Sequence, residues 1–271
     1  MADIDSTVRI ESFNCPEPAD IQVHLSAGEA LVELVETDAV TVAVSPASGS
    51  TPADAIADVL RGTTVHFTRG RLVVQPPRRR LRPVPVRVVV RARPGSKIQL
   101  TGSDAQFTVS GRAGSLELQS SGGGLTADRV DGKCKIRNGD GSLRLAESGG
   151  QLDARIGQGH VEIGRISGGG ARLTTGAGTV SIGTVEADLS LTTGANRIAI
   201  AEAVTGRIQV RTGPGSIRVG VRPGVTARVD LSSRSGTARS DLPVSQTASG
   251  NSALRIEAAS TSGDVLVTTA S

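Results

Sequence analysis

Short apolar triplets, in which two apolar residues flank a third residue, recur along the second half of the chain at a nearly fixed distance. From residue 116 onward they begin nine residues apart, with two steps of ten. Two-residue alternation is typical of a strand with one buried face. Because such short strands cannot bury a face alone, the constant spacing predicts that they stack. The triplets begin at Leu116, Leu125, Cys134, Leu143, Leu152, Val161, Ala171, Val180, Leu189, Ile198, Ile208 and Ile217.

The nine-residue units are of two alternating kinds, so the full repeat is about 18 residues long. The stretch LTTGA at 173–177 returns at 191–195. An antiparallel meander of nine-residue hairpins is the alternative, but it does not predict this alternation. The pattern favours an all-β fold, a single-stranded parallel β-helix or solenoid with two strands per coil of about 18 residues and about six regular coils. One kind of turn carries Gly122, Gly139, Gly157, Gly176, Gly194 and Gly213, and the other carries Val130, Ile166, Val185 and Val204.

The middle residue of each triplet should face solvent, which gives a second indication of stacking. Along one row the charges alternate in sign from Glu117 through Lys135 and Asp153 to Arg172. The other row contains one such pair, Arg144 and Glu162. Opposite charges on neighbouring strands contribute about 0.2–1 kcal/mol each. We therefore expect ion pairs between residues one repeat apart.

The first hundred residues have a different pattern, which predicts a β-rich cap with one helix. Thr51 suits an N-cap, Pro52 the first helical position and Gly62 the stop, so a short amphipathic helix is expected at 52–61. Such a cap would cover the first coil, whose strand edges would otherwise be unpaired. We divide the chain into a cap region at 1–104 and a repeat region at 105–271, joined as one continuous structural unit.

The stretches RTGPGSIRVGVRPGVTARVDLSSRSGTARSDL (211–242) and STSGDVLV (260–267) resemble the closing coils of a bacterial family of β-strand repeat proteins. This family is a domain of unknown function of the DUF4097 type, loosely called "putative adhesins". The resemblance covers most of the chain and is clearest from 95 to 271. It implies a single-stranded β-helix. The family has no established catalytic residues, so the resemblance implies none here; some members are membrane-tethered or exported.

Carbohydrate chemistry is the main alternative to a binding role, since many long β-helices are polysaccharide lyases or hydrolases. Most glycoside hydrolysis needs paired carboxylates. The outward carboxylates Glu117, Asp153 and Glu162 each have a basic neighbour, which favours structural charge. The chain contains no Trp and no Tyr to stack on sugars. The sequence therefore predicts no catalytic residue.

Metal and cofactor sites are also not predicted. A two-strand coil of nine-residue units resembles the calcium-binding nonapeptide roll, but that roll needs an Asp at almost every turn, and only Asp140 lies in one. The three histidines, His24, His66 and His160, match no metal-ligand spacing. The glycine-rich stretches GQGHVEIG and GPGSIRVG do not lead into a helix, so they do not predict a phosphate loop.

Residues 69–97 contain ten basic residues and no acidic one. Such a segment could bind an acidic partner or an anionic membrane surface. Because no aromatic residue is interleaved, nucleic acid is disfavoured. The alternative is a solvated loop, PPRRRLRP, followed by an ordinary strand. The candidate contact residues are Arg78, Arg79, Arg80, Arg82, Arg87, Arg91 and Arg93.

The N-terminal stretch MADIDSTVRIESF lacks the basic start and apolar run of a secretory signal, and no segment is apolar enough to span a membrane. Cys15 and Cys134 are expected to be reduced thiols in a cytoplasmic protein, and a single disulfide between them is the alternative. We expect a non-enzymatic scaffold or interaction module that self-associates or binds a protein, in the cytoplasm or at the inner membrane surface. A carbohydrate-binding adhesin or a carbohydrate-active enzyme is the alternative.

Overall fold

The computed structural model describes residues 3–5, 8–47, 53–77, 84–243 and 253–270. Strands make up most of this part of the chain, and one short helix accompanies them, so the predicted all-β class with a single short helix is confirmed. In chain order the elements are β1 (Asp3–Asp5), β2 (Val8–Asn14), β3 (Asp20–Leu34), β4 (Ala39–Pro46), α1 (Ala53–Gly62), β5 (Thr64–Thr68), β6 (Arg71–Gln75), β7 (Val86–Ala92), β8 (Lys97–Ala113), β9 (Ser115–Val130), β10 (Cys134–Asp140), β11 (Leu143–Ser148), β12 (Leu152–Ile166), β13 (Ala171–Val185), β14 (Leu189–Ala203), β15 (Gly206–Pro214), β16 (Ile217–Val221), β17 (Ala227–Ser235), β18 (Ala238–Ser240), β19 (Leu254–Ser262) and β20 (Val265–Thr269).

The chain forms two compact units, which we describe separately. Unit 1 is Met1–Gly141 and contains β1–β10 and α1, and unit 2 is Ser142–Ser271 and contains β11–β20. The sequence-based limits, 1–104 and 105–271, differ from these. Residues 104 and 105 lie inside β8, which continues without a break to Ala113.

Unit 1 is organised around the long strand β3. It pairs in parallel with β8 along most of its length, from Asp20 opposite Lys97 to Leu34 opposite Gly111. On its other side β3 pairs with β6 through its first residues and with β7 through its last. The ladder continues from β8 to β9 and from β9 to β10, with partners 18 residues apart at the start of each pairing.

Antiparallel strands complete unit 1 beside β6 and β7. β5 pairs with β6, while β4, β2 and β1 follow β7 in that order. The rings of Phe13 and Phe67 stack with centroids 4.9 Å apart. Helix α1 ends at Gly62, one residue beyond the predicted range of 52–61, and Thr51 and Pro52 lie outside the described residues. Arg9 Nη1 donates hydrogen bonds to the carbonyls at the end of this helix, including that of Leu60 at 3.1 Å.

Unit 2 contains a parallel ladder with a nearly constant step. Partners in successive strands from β11 to β15 are 18 or 19 residues apart, as for Ala171 opposite Leu189 and Leu189 opposite Ile208. This is the register that the sequence repeat predicts. The first residue of every apolar triplet, from Leu116 to Ile217, is buried.

The glycine corner differs from the turn that the sequence predicts. In β13 both triplets of a repeat belong to one 15-residue strand, and the corner residue Gly178 is still paired with a residue on each neighbouring strand. Neighbouring backbones pack too closely here for a side chain. A Cβ on Gly176 would lie 2.3 Å from the carbonyl oxygen of Gly157, and one on Gly194 would lie 2.4 Å from that of Gly176. The glycines therefore keep the ladder continuous around the corner.

A polar row accompanies this corner inside unit 2. The second Thr of each LTTGA stretch, Thr175 or Thr193, is 6% exposed, as are Thr212 and Ser260 at equivalent positions of later strands. The Asn196 side chain donates a hydrogen bond from Nδ2 to Thr175 Oγ1. The first Thr of each stretch is exposed. The LTTGA motif therefore recurs because one hydroxyl points inward and satisfies buried polar groups of the next repeat.

Candidate interaction surfaces

The predicted basic segment lies beside acidic residues that come from an earlier part of the sequence. Its three described arginines at and after β7 each lie within 3.5 Å of a carboxylate from residues 29–38. The surface around β7 is therefore an ion-pair network and not an uncompensated basic patch. Arg78, Arg79, Arg80 and Arg82 lie outside the described residues. The pairs are Arg87–Glu29 at 3.3 Å, Arg91–Glu33 at 2.5 Å, Arg93–Glu36 at 3.4 Å and Arg93–Asp38 at 3.5 Å.

Ion pairs also connect successive repeats on the outward faces. In unit 1, Lys135 Nζ lies 2.8 Å from Glu117 Oε1, and this hydrogen bond holds the pKa of Glu117 below its ordinary value. In unit 2, Arg144 Nε lies 2.9 Å from Glu162 Oε2. These two predicted pairs are confirmed. The predicted pairing of Asp153 with Arg172 is not: the two are register partners, but Asp153 lies 3.9 Å from Arg155 instead and forms no ion pair with Arg172. Further pairs join residues outside the triplets, where the alternation of the triplets gives no signal: Arg165–Glu186, Arg207–Glu257 and Arg222–Glu202.

A cleft of about 280 Å³ in unit 2 is lined by two carboxylates, those of Asp153 and Asp188, and paired carboxylates are the residues that most glycoside hydrolysis needs. Asp188 Oδ1 accepts a hydrogen bond from the backbone N–H of Arg207 at 2.8 Å. Asp153 Oδ1 is buried without a hydrogen bond and lies 3.9 Å from Arg155 Nε. Arg172 also lines this cleft. Each of the two carboxylates therefore has a neighbouring donor group: a backbone N–H for Asp188 and a guanidinium group for Asp153.

Metal-binding side chains are dispersed over the described residues, where no three His, Cys, Asp or Glu residues are placed to hold an ion together. Cys15 and Cys134 are both buried free thiols. Burial raises the pKa of Cys134 to about 12. The same part of the chain contains no helix that is long and apolar enough to cross a membrane.

The last repeat of unit 2 in space is not the last in sequence. β19 lies between β15 and β17, with Ile256 opposite both Ile208 and Val229. In the same way, β20 lies between β16 and β18, with Val265 opposite both Ile217 and Ala238. The chain therefore forms β17 and β18 at the margin of the ladder. It then returns to form β19 between β15 and β17, and β20 between β16 and β18.

β17 and β18 consequently have one partner each among the described strands, which are β19 and β20. The inward-facing Val229 and Leu231 of β17 are half-buried, whereas Ile256 and Ala258 opposite them are 0% and 3% exposed. We call β17 and β18 the terminal edge. Its outward positions begin with Arg228 and Asp230 on β17, which are both exposed.

Sequence reasoning missed this order because residues 227–240 and 254–269 share the same strand–turn–strand pattern. Nothing in their spacing indicates which of them pairs with β15. The size of the apolar residues in the two segments could have indicated which strand is better buried. The positions occupied by Ala227 and Val229 at the margin are taken by Leu254 and Ile256 in the better buried strand. The larger apolar residues bury more surface there, which favours the observed order.

A second cleft in unit 2, of about 440 Å³, lies across β15, β19 and β17. Its walls contain hydroxyl groups and two guanidinium groups, and no carboxylate. The chemistry of this lining suits a negatively charged ligand better than a sugar, because it offers hydrogen-bond donors with a net positive charge. The lining residues are Arg211, Thr212, Ser232, Ser233, Arg234, Ala259, Ser260 and Thr261.

Comparison with known proteins assigns the chain to a family. The Toastrack DUF4097 family model matches residues 16–271, which include strands of both units. The chain belongs to the Toastrack DUF4097 family. The resemblance inferred from its closing repeats is therefore confirmed. No curated protein matches the sequence.

Solved structures similar to this Toastrack DUF4097 chain come from Bacteroides fragilis and Parabacteroides distasonis. The B. fragilis protein, described as a "putative adhesin", is 11% identical with a TM-score of 0.50, and 98% of each chain is covered. A P. distasonis "putative adhesin" is 10% identical with a TM-score of 0.49, covering 97% of this chain and 98% of that one. A P. distasonis "putative lipid binding protein" is 11% identical with a TM-score of 0.47, covering 96% of each. At this identity, the B. fragilis likeness shows the fold alone.

Proposed function

We propose that this protein is a non-enzymatic β-solenoid scaffold that associates with a second copy of itself through the terminal edge. The observation that carries the proposal is the position of β17, which pairs with β19 alone among the described strands and leaves Val229 and Leu231 half-buried. An unpaired strand edge is a ready template for another strand. Burial of the two apolar side chains would add to the backbone hydrogen bonds.

Charge complementarity supports a second copy as the occupant. Two β17 strands related by a two-fold axis perpendicular to the sheet run antiparallel, and the same patch is used on both copies. If the axis passes at Val229, Arg228 of each copy faces Asp230 of the other. Directly opposed charges of opposite sign stabilise a pair of strands, and like charges destabilise it. The two residues are exposed and no ion pair joins them to another described residue.

The proposal predicts a molar mass that depends on protein concentration. Light scattering after size-exclusion chromatography should give the monomer mass of 27.6 kDa at low concentration and approach twice that value at high concentration. The Asp230→Arg variant would place arginines opposite each other, so it should remain monomeric. The double variant Arg228→Asp with Asp230→Arg exchanges the charges and should restore the dimer.

Circular dichroism of each variant separates loss of association from loss of fold. A wild-type mass that stays at the monomer value over the whole concentration range would overturn self-association through this edge. A dimer that Asp230→Arg leaves unchanged would overturn the role of β17. Raising the salt concentration should weaken the dimer only modestly, because apolar burial and backbone pairing are insensitive to screening.

A carbohydrate-binding or carbohydrate-active protein is the second candidate, and the observation that favours it is the presence of Asp153 and Asp188 in one cleft. The description of the B. fragilis protein as an adhesin is compatible with either candidate. A screen of the protein against oligosaccharides tests the alternative directly. Sugar binding that Asp153→Asn abolishes would favour it over the scaffold.

We also propose that the protein is located in the cytoplasm, including the inner membrane surface. The arginine-rich segment that includes Arg78, Arg79 and Arg80 is the candidate contact with an acidic surface. Replacement of these three residues by Ser should abolish salt-sensitive binding to vesicles that contain anionic lipid. Unchanged binding would contradict a role for this segment and would leave the proposal for the terminal edge unaffected.

A further inference from the structure

The 440 Å³ cleft across β15, β19 and β17 combines two arginines with hydroxyl groups. We call it the Arg211–Arg234 cleft. Arg211 from β15 and Arg234 from β17 are exposed, and so are the hydroxyl-bearing Ser232 and Thr261. All four side chains can therefore reach a ligand in the cleft from solvent.

The strand order places the two arginines on opposite sides of β19, which forms the base of the cleft. Ala259 of β19 lies between Arg211 of β15 and Ser232 of β17, and each of these pairs with it in register. Since neighbouring strands are about 4.8 Å apart, β15 and β17 are separated by roughly 10 Å. The small side chain of Ala259 leaves the space between them open. Two long arginine side chains can close over one small anion across such a gap.

The charge in the cleft is not compensated by the described residues. No ion pair joins Arg211 or Arg234 to any of them, whereas Arg207 and Arg255 on the same face both bind Glu257, at 2.8 and 2.7 Å. Residues 244–252, which connect β18 to β19, have the sequence VSQTASGNS and contain no acid. Hydrogen bonds from Gln209 and Arg207 lower the pKa of Glu257, so this nearby carboxylate is charged but already neutralised by its partners.

We propose that the Arg211–Arg234 cleft binds a single tetrahedral oxyanion, the phosphate group of a phosphate monoester or a free phosphate ion. A guanidinium group offers several N–H donors in a planar fork that fits phosphate oxygens in a bidentate manner. Ser232 and Thr261 can donate further hydrogen bonds to the same group. The site depends on strand order, since β19 must lie between β15 and β17 to bring the two arginines together. It shares β17 with the proposed dimer, because Ser232, Ser233 and Arg234 belong to that strand, but neither Arg228 nor Asp230 lines it, so the variants that test the two proposals are different.

The first arm of the experiment uses inorganic phosphate as the probe. The full chain, labelled with ¹⁵N, is titrated at constant ionic strength, and the amide signals of Ala259 and Thr261 are followed by NMR. The signals should move to a saturating end point. The variants Arg211→Gln and Arg234→Gln should each bind at least tenfold more weakly. Arg218→Gln is the matched control, since Arg218 is exposed on β16, has no ion pair with any described residue and lies outside the cleft.

The second arm distinguishes a lipid headgroup from a soluble phosphate. Vesicles of phosphatidylcholine with and without phosphatidic acid are sedimented with the wild type and with the three variants. Binding that requires phosphatidic acid and both cleft arginines identifies the phosphate of a lipid. Saturable binding of inorganic phosphate without vesicle binding identifies a soluble ligand. If phosphate produces only a linear shift and vesicles bind no better with phosphatidic acid, or if Arg218→Gln weakens binding as much as the cleft variants, the proposal is wrong.

Discussion

Thr193 donates a hydrogen bond from its hydroxyl group to that of Thr212, 2.9 Å away, and both side chains are 6% exposed. The two residues are register partners on β14 and β15. The second Thr of the LTTGA motif thus belongs to an internal row of hydroxyl groups that runs from one repeat to the next. A buried hydroxyl needs a partner, so each member of the row constrains its neighbour.

Thr193→Val should destabilise unit 2 by about 1–2 kcal/mol, because it keeps the shape of the side chain and leaves the Thr212 hydroxyl without this partner. The double variant Thr193→Val with Thr212→Val should recover much of the loss, since replacement of both partners by apolar groups of the same shape is nearly neutral. Urea unfolding followed by circular dichroism gives both values. A double variant as unstable as the sum of two single variants would contradict this account of the row.

Gly178→Ala should destabilise the protein strongly because of the close approach of neighbouring backbones. A Cβ at this position would lie 1.9 Å from the carbonyl oxygen of Gly159, and φ is 134°. Gly224 is a matched control, since its φ is 82° but nothing lies within 4 Å of a Cβ there. Gly224→Ala should cost about 1–2 kcal/mol from backbone strain alone.

For Gly178→Ala we expect a loss of about 3 kcal/mol or more, because a steric clash with backbone atoms adds to the strain. Thermal unfolding of the two variants side by side measures the difference. Similar melting temperatures would mean that neighbouring strands can move apart at this corner. The steric explanation for the glycines at the corner would then be wrong.

The inward positions of the repeats could be predicted because burial of alternate residues is a local property of a strand. Leu173 and Leu191, for example, are each 1% exposed. The ion pairs between Glu117 and Lys135 and between Arg144 and Glu162 followed from the same period. These inferences need only the spacing along the chain and the assumption that repeats stack in register.

The positions of more distant partners could not be predicted from that spacing. Arg93 pairs with Glu36, which is 57 residues earlier, so the composition of its own segment gave no sign of compensation. Likewise, whether β17 or β19 lies beside β15 depends on a comparison of two complete packing arrangements. The Arg211–Arg234 cleft exists only in one of them, which explains why no sequence motif marked it.

Cys134 should be inert towards thiol reagents in the folded protein. Its side chain is 0% exposed, and burial raises the pKa of the thiol to about 12, so the reactive thiolate is scarce at pH 8. The Cys15→Ser variant isolates this thiol. Ellman's reagent should modify it within minutes in guanidinium chloride, and far more slowly in buffer at pH 8. Rapid modification of the native variant would show that β10 opens readily.

The pair of Glu117 and Lys135 should stabilise unit 1 in a pH-dependent manner. The hydrogen bond from Lys135 lowers the pKa of Glu117, with smaller contributions from Lys133 and Arg137. A carboxyl group whose pKa is lower in the folded state than in the unfolded state stabilises the fold above its unfolded pKa, which is about 4.3 for glutamate. This stabilisation is lost as the pH falls through the lowered folded value. We expect it to be complete at pH 7 and almost absent at pH 2.

A double-mutant cycle with Glu117→Gln and Lys135→Met measures the coupling of the two side chains directly. At pH 7 the coupling should be about 0.2–1 kcal/mol, because the Glu117 side chain is half-exposed and solvent screens the pair. At pH 2 it should approach zero, since the protonated carboxyl group attracts the ammonium group only weakly. Lys133 and Arg137 remain in every variant, so Lys135→Met, which keeps the Glu117 carboxyl group, should retain some of the pH dependence. Coupling of equal size at both pH values would mean that packing of the two side chains, and not their charge, joins these repeats.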